Sequence, residues 1–126
     1  MNTKEITVLM VEPGKHPKVT PLFDDLDSLQ KAVSIGADYQ GLIEIISLGN
    51  GDCLLCNEEG KLIGLEGNRR LGNDIIVGVF YIMSEDEEGN LVSLTEKKIQ
   101  YYTELFWEPE RFDRTEIEAT LTCRFL

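Results

Sequence analysis

The chain is poor in the residues from which most catalytic and metal sites are made. Its 126 residues include one histidine, three cysteines and one tryptophan. The single imidazole, His16, lies between Pro13 and Pro17. A sole histidine in a Pro-flanked loop disfavours a Ser-His-Asp or Cys-His set, and a tetrahedral metal site is left short of ligands. An odd number of cysteines is no disulfide framework and fits a reducing cytoplasm. Basic residues are also scarce. Twelve Lys and Arg against twenty-three Asp and Glu give a formal charge of -11. Such a chain lacks the clustered cations that displace counterions from nucleic acid or dock on anionic lipid. No apolar run approaches the roughly 18 residues of a membrane span. The run Ile6 to Val11 is too short for a signal-peptide core. The expectation is a cytoplasmic protein with no cofactor, no metal, no membrane contact and no direct contact with nucleic acid.

What is present suffices for one compact domain. The composition is 42% hydrophobic and 28% charged, ordinary for a folded soluble chain. At this length a domain buries about two-thirds of its unfolded surface and needs no covalent staple. Ile6 to Val11 is apolar on both alternating faces and reads as a strand covered on both sides. Pro13-Gly14 has the residues of a type II turn, and Val19 to Phe23 reads as an edge strand because prolines interrupt it. Asp24 or Asp25 then caps a helix carrying Leu26, Leu29 and Val33 on one face, with Gly36 as its stop. Leu42 to Leu48 and Cys53 to Cys56 are strands joined at Asn50-Gly51. Lys61 to Leu65 reads as a return strand, Gly64 to Gly72 as an irregular loop and Ile75 to Met83 as one central strand. Ser93 and Glu96 have capping-box spacing before a helix whose inward side is Ile99, Tyr102 and Phe106. From Ile117 to Phe125 apolar and polar residues alternate, which predicts a strand with one wet face. The fold class is therefore α+β: a mostly antiparallel sheet of about five to seven strands with two helices. Residues 1–108 form the core, and 109–126 an amphipathic strand laid on it or on a second subunit.

Few residues suggest chemistry. Cys53 and Cys56 have the spacing of a redox or zinc pair, but on a strand an odd offset sends them to opposite faces. Glu44 shares a strand face with Leu42, Ile46 and Leu48, where a carboxylate needs a cation or donors. Asn68, Arg69 and Arg70 lie in a polar, Gly-containing stretch, and an arginine reaching Glu44 would make a small pocket for an anionic, nucleotide-like ligand. Gly14-Lys15 lacks the rest of a phosphate loop. The charge also invites an acidic DNA mimic of the antirestriction kind. A duplex as long as this domain, about 36 Å, carries roughly twenty phosphate charges. The net charge of -11 falls short of that unless one face collects it.

Several stretches, in order, resemble a family known as domain of unknown function 3846. They are Val8 to Lys15, Gly41 to Ile45, Cys56 to Leu65 running on to Asn68 and Arg69, Asp74 to Gly78, and Val92 to Thr95. The likeness spans about residues 6 to 107, and Cys53 stands where an aliphatic residue is expected. It implies an accessory protein of bacterial phages, plasmids or conjugative elements, and supplies no catalytic residues. The expectation is a non-enzymatic binding protein acting through a protein partner. Ile117, Leu121 and Phe125 are the candidate interface, with homodimerisation through the tail strand. A small anionic-ligand binder using Glu44, Asn68, Arg69 and Arg70, or a DNA mimic, are the alternatives.

Overall fold

A computed structural model describes residues 3–121. Its elements run β1 Glu5–Val11, β2 Lys18–Phe23, α1 Leu26–Ala32, β3 Ile43–Gly49, β4 Asp52–Asn57, β5 Gly67–Leu71, β6 Asp74–Val77, β7 Phe80–Glu85, β8 Leu91–Val92, α2 Glu96–Leu105 and α3 Arg114–Ala119. The main sheet is antiparallel in the order β2-β1-β7-β4-β3, with β8 on β7, while β5 and β6 form a separate hairpin. The expected α+β class is found.

The central strands of the main sheet are buried on both faces. Ile6 and Val8 of β1 join a cluster with Leu29 and Val33 of the α1 region, Cys53, Leu55, Tyr81 and Met83. Leu9 and Val11, on the other face, join Leu54, Cys56, Phe80, Ile82, Tyr102 and Phe106. A third, smaller cluster of Leu65, Ile75 and Val77 is covered by Phe112 and Ile117. Continuous apolar runs in β1 and β7 follow from this two-sided burial, each buried side chain contributing roughly 1.5–3 kcal/mol.

The turn chemistry is legible in the sequence. Lys15 N–H donates to the Glu12 carbonyl at 3.2 Å, closing the Pro13-Gly14 turn with Gly14 at φ 74. Asn50 and Gly51 both have positive φ between the paired residues Gly49 and Asp52, as a two-residue hairpin loop requires. Asp25 caps α1 by accepting from Ser28 N–H.

Five expectations need correction. Lys61–Leu65 is a succession of turns rather than a strand, closed locally by Ile63 N–H to Glu59 O and Leu65 N–H to Gly60 O. Residues 64–72 are not all loop, because Gly67–Leu71 is β5. The run from Ile75 to Met83 is two strands, broken at Gly78, where φ is 72 and the N–H donates to Glu66 O at 2.7 Å. A Cβ at Gly78 would lie 2.8 Å from Leu65 Cδ1, so only glycine lets the chain turn there. Thr95, not Ser93, caps α2, and the Ser93 hydroxyl instead accepts from Thr7 N–H. Finally, the tail segment Arg114–Ala119 is helix, opened by a capping box between Asp113 and Glu116. Ile117 packs from that helix onto its own chain. Phe125, the last candidate interface residue, lies outside the described residues.

Candidate functional site

An apolar cleft of about 490 Å³ opens between the β3–β4 hairpin and α2. Leu48, Leu71, Leu105 and Phe106 give it an apolar lining, and Lys97, Lys98 and Tyr101 stand around it. Its volume falls within the range of about 300–1,000 Å³ usual for binding pockets. Helix α2 carries two apolar stripes. Ile99, Tyr102 and Phe106 turn into the core, whereas Tyr101 and Leu105, one helical turn apart, are 60% and 56% exposed. The helix thus offers apolar surface to solvent as well as to the sheet.

The hairpin and helix are locked together below the cleft by Asp52. Its side chain is almost fully buried and accepts from Ser84 Oγ at 2.8 Å, Lys98 Nζ at 2.7 Å and Tyr102 Oη at 2.7 Å. Ser84 lies directly across from Asp52 in the β4–β7 ladder, and Lys98 and Tyr102 are four apart on α2, so three elements converge on one carboxylate. Lys98 Nζ also donates to Asn50 O at 3.0 Å, gripping the hairpin loop. Burial alone would raise the Asp52 pKa, but the bonds from Lys98, Tyr102 and Ser84 outweigh it and hold the pKa below its ordinary value. Tyr102 is pushed up by burial, then by its hydrogen bond to Asp52 and by the Asp52 charge. The carboxylate stays charged and the phenol protonated. Such a network fixes shape and is poorly suited to moving protons.

The sequence-selected residues are placed as follows. Glu44 is half-buried on β3 and accepts a long 3.9 Å contact from Cys56 Sγ. Asn68 is fully buried and donates to Val11 O and Gly78 O, both at 2.8 Å. Arg69 is 1% exposed. It donates from Nε to Phe106 O at 3.0 Å, from Nη1 to Asn68 Oδ1 at 2.8 Å, and from Nη2 to Lys15 O at 2.6 Å. Burial draws its pKa down, against the opposing pull of Glu110. Arg69 thereby ties three separate segments together from inside. Its neighbour Arg70 points outward, 3.9 Å from Glu116 and 5.4 Å above the Phe112 ring. The structure therefore unites Asn68 with Arg69 but sends the two arginines to different surroundings. None of these four residues lines the α2 cleft or the three cavities near Glu66. Of the candidate interface residues, Ile117 and Leu121 line a cavity of about 450 Å³ with Phe112 and Leu65.

Cys53 and Cys56 fall in the opposite core clusters, as their offset on a strand requires. Burial pushes both thiols up to about 12. No group of three or more His, Cys, Asp or Glu among the described residues is arranged to hold a metal ion. No helix among them is long and apolar enough to cross a membrane. The sequence places Tyr102 on the inward side of its helix but leaves Asp52, and the bond between the two, unnoticed. The signal was an acidic residue directly after Asn50-Gly51, at the mouth of an apolar strand, where a carboxylate must find donors.

The architecture is that of a small α+β domain whose accessible features are an apolar cleft and a firmly tied scaffold. The chain belongs to the family described as Domain of unknown function (DUF3846), whose model matches residues 6–107. The match takes in β1 through α2, including every element that frames the cleft, and stops before α3. No curated protein matches the chain, and no solved structure matches it.

Proposed function

We propose that this is a non-enzymatic binding protein that holds a protein partner against the cleft between the β3–β4 hairpin and α2, as an accessory protein of a bacterial mobile element. The mobile-element setting rests on the family resemblance alone. The observation that carries the binding role is the outward stripe of Tyr101 and Leu105 beside an apolar cleft. Exposed apolar residues scattered singly need no explanation, but an aromatic and an aliphatic residue one turn apart at the lip of a concavity form a recognisable anchor site. The Asp52 network beneath keeps that surface preformed, which lowers the ordering cost of association. Exposed Lys97 at the rim, in a chain otherwise dominated by acids, suits an apolar partner segment flanked by a carboxylate.

The test is quantitative affinity capture from host cells with the wild-type chain and the double variant Tyr101→Ser, Leu105→Ser as baits. A partner recovered by the wild type and reduced about ten-fold or more by the variant is the expected result, two truncated anchors being enough for that loss. Equal recovery with both baits, or recovery of nothing above background, overturns the reading.

A further inference from the structure

We propose that β3 pairs edge to edge with β3 of a second copy of this chain, in an antiparallel register centred on Ile45. This surface is distinct from the α2 cleft, and the inference does not depend on the cleft's role.

The two edges of the main sheet are built differently. β2, at one end, begins with Lys18 and contains Pro21, both of which discourage further pairing. β3, at the other end, pairs only with β4 among the described residues, and Ile43–Gly49 contains neither proline nor lysine. Among the described residues, an edge of this length free of proline and lysine is a template for another strand.

The register follows from the ladder. Glu58 N–H donates to Leu42 O at 2.9 Å, immediately before the first paired residues, Ile43 and Asn57. Because bonded and non-bonded pairs alternate in an antiparallel ladder, Glu44 and Ile46 direct their backbone groups to β4. Ile43, Ile45 and Ser47 therefore direct theirs outward. Centring a two-fold axis on Ile45 sets Ile45 against its own copy and Ile43 against Ser47, so all three outward residues pair, giving about six hydrogen bonds. Glu44 then faces Ile46. Moving the centre to Glu44 would oppose two carboxylates at the closest strand spacing. Moving it toward Gly49 runs into the irregularity between Ser47 and Gly49. Only the Ile45-centred register uses the whole edge without opposing like charges. It also covers Ile45, which is 46% exposed although Leu55, its partner on β4, is fully buried.

Each copy carries a formal charge of -11, so self-association works against long-range repulsion and tightens as salt is added. A basic strand from another protein would show the reverse.

The experiment is sedimentation equilibrium of the full chain up to about 200 µM at about 50 and 500 mM NaCl. The wild type is expected to form dimers whose dissociation constant falls at the higher salt. Ile45→Lys, at an exposed site whose backbone makes no bonds to β4, is expected to weaken the dimer about ten-fold or more. Ile45→Pro, which removes an outward N–H rather than one bonded to β4, is expected to act in the same direction. Circular dichroism checks that each variant keeps its fold. A wild type that remains monomeric at both salt levels overturns the proposal, as does a dimer unaffected by both substitutions. A monomer that still captures a partner through Tyr101 and Leu105 would sink this inference and leave the cleft reading standing.

Discussion

Asp52 and Tyr102, 50 residues apart in sequence, meet through a 2.7 Å hydrogen bond that ties the start of β4 to α2. The bond makes the cleft wall and its opposite lip a single rigid unit, since Lys98 and Ser84 bind the same carboxylate. Two consequences can be measured. Asp52→Ala leaves the buried ends of Ser84 and Tyr102 without their acceptor and is expected to cost about 3 kcal/mol in urea unfolding.

The pH dependence has a definite sign. The Asp52 pKa lies below its ordinary value of 3.8 in the folded chain, so its contribution to stability is complete above that value. It is lost as pH falls through the lower folded value. Asp52→Asn is therefore expected to flatten the acid limb of stability against pH while lowering stability near neutrality. An acid limb as steep as the wild type's would contradict this.

Arg69 acts from the interior. Its guanidinium holds Lys15 O, Phe106 O and Asn68 together, so Arg69→Met is expected to leave carbonyls unsatisfied and cost about 3 kcal/mol. Arg69→Lys should not restore this, because an ammonium cannot reproduce the planar fork. Full rescue by lysine in chemical denaturation would show that charge alone matters.

His16 stacks on Trp107 with ring centroids 4.0 Å apart and planes 10° from parallel. Its Nδ1–H donates to Trp107 O at 2.6 Å. Trp107 is the sole tryptophan, so its fluorescence reports this contact directly. His16→Ala is expected to shift the emission to the red, with a stability change of about 1 kcal/mol or less for so exposed a pair. Unchanged emission would mean that the stack is not kept in solution.

The thiols should be inert. With Cys123→Ser removing the cysteine outside the described residues, a thiol reagent at about pH 8 is expected to find neither Cys53 nor Cys56 until denaturant is added. Rapid labelling of the native chain would contradict their burial.

Much of this fold is readable where local chemistry and tertiary context agree. Pro13-Gly14, Asn50-Gly51 and Asp25 each specify backbone geometry through their own atoms, and each is found as read. The failures lie where a distant contact decides. β5 has the sequence Gly67-Asn-Arg-Arg-Leu71 and no apolar pattern, because its buried side chains are Asn68 and Arg69, satisfied by carbonyls from β1 and α2. The break at Gly78 is hidden inside an apolar run, since what marks it, the positive φ and the close approach of Leu65 and of Glu66 O, comes from elsewhere in the chain. In the tail, Ile117 and Leu121 fit helical spacing as well as alternation, and Asp113 with Glu116 was a capping box in plain view. As for the candidate site, Glu44 drew notice as a charge among apolar neighbours and Arg69 as one of two adjacent arginines in a polar stretch. The cleft itself was not visible, because it depends on how the exposed side of α2 meets a hairpin over forty residues away.

Binding at the α2 lip is tested most directly by site-specific photo-crosslinking inside host cells. A photoreactive residue replaces Leu105 in one chain and, as a control on the far edge of the sheet, the exposed Val19 of β2 in another. A discrete crosslinked protein from position 105, absent from position 19, is the result expected here. The same products from both positions, or none from position 105, would contradict it.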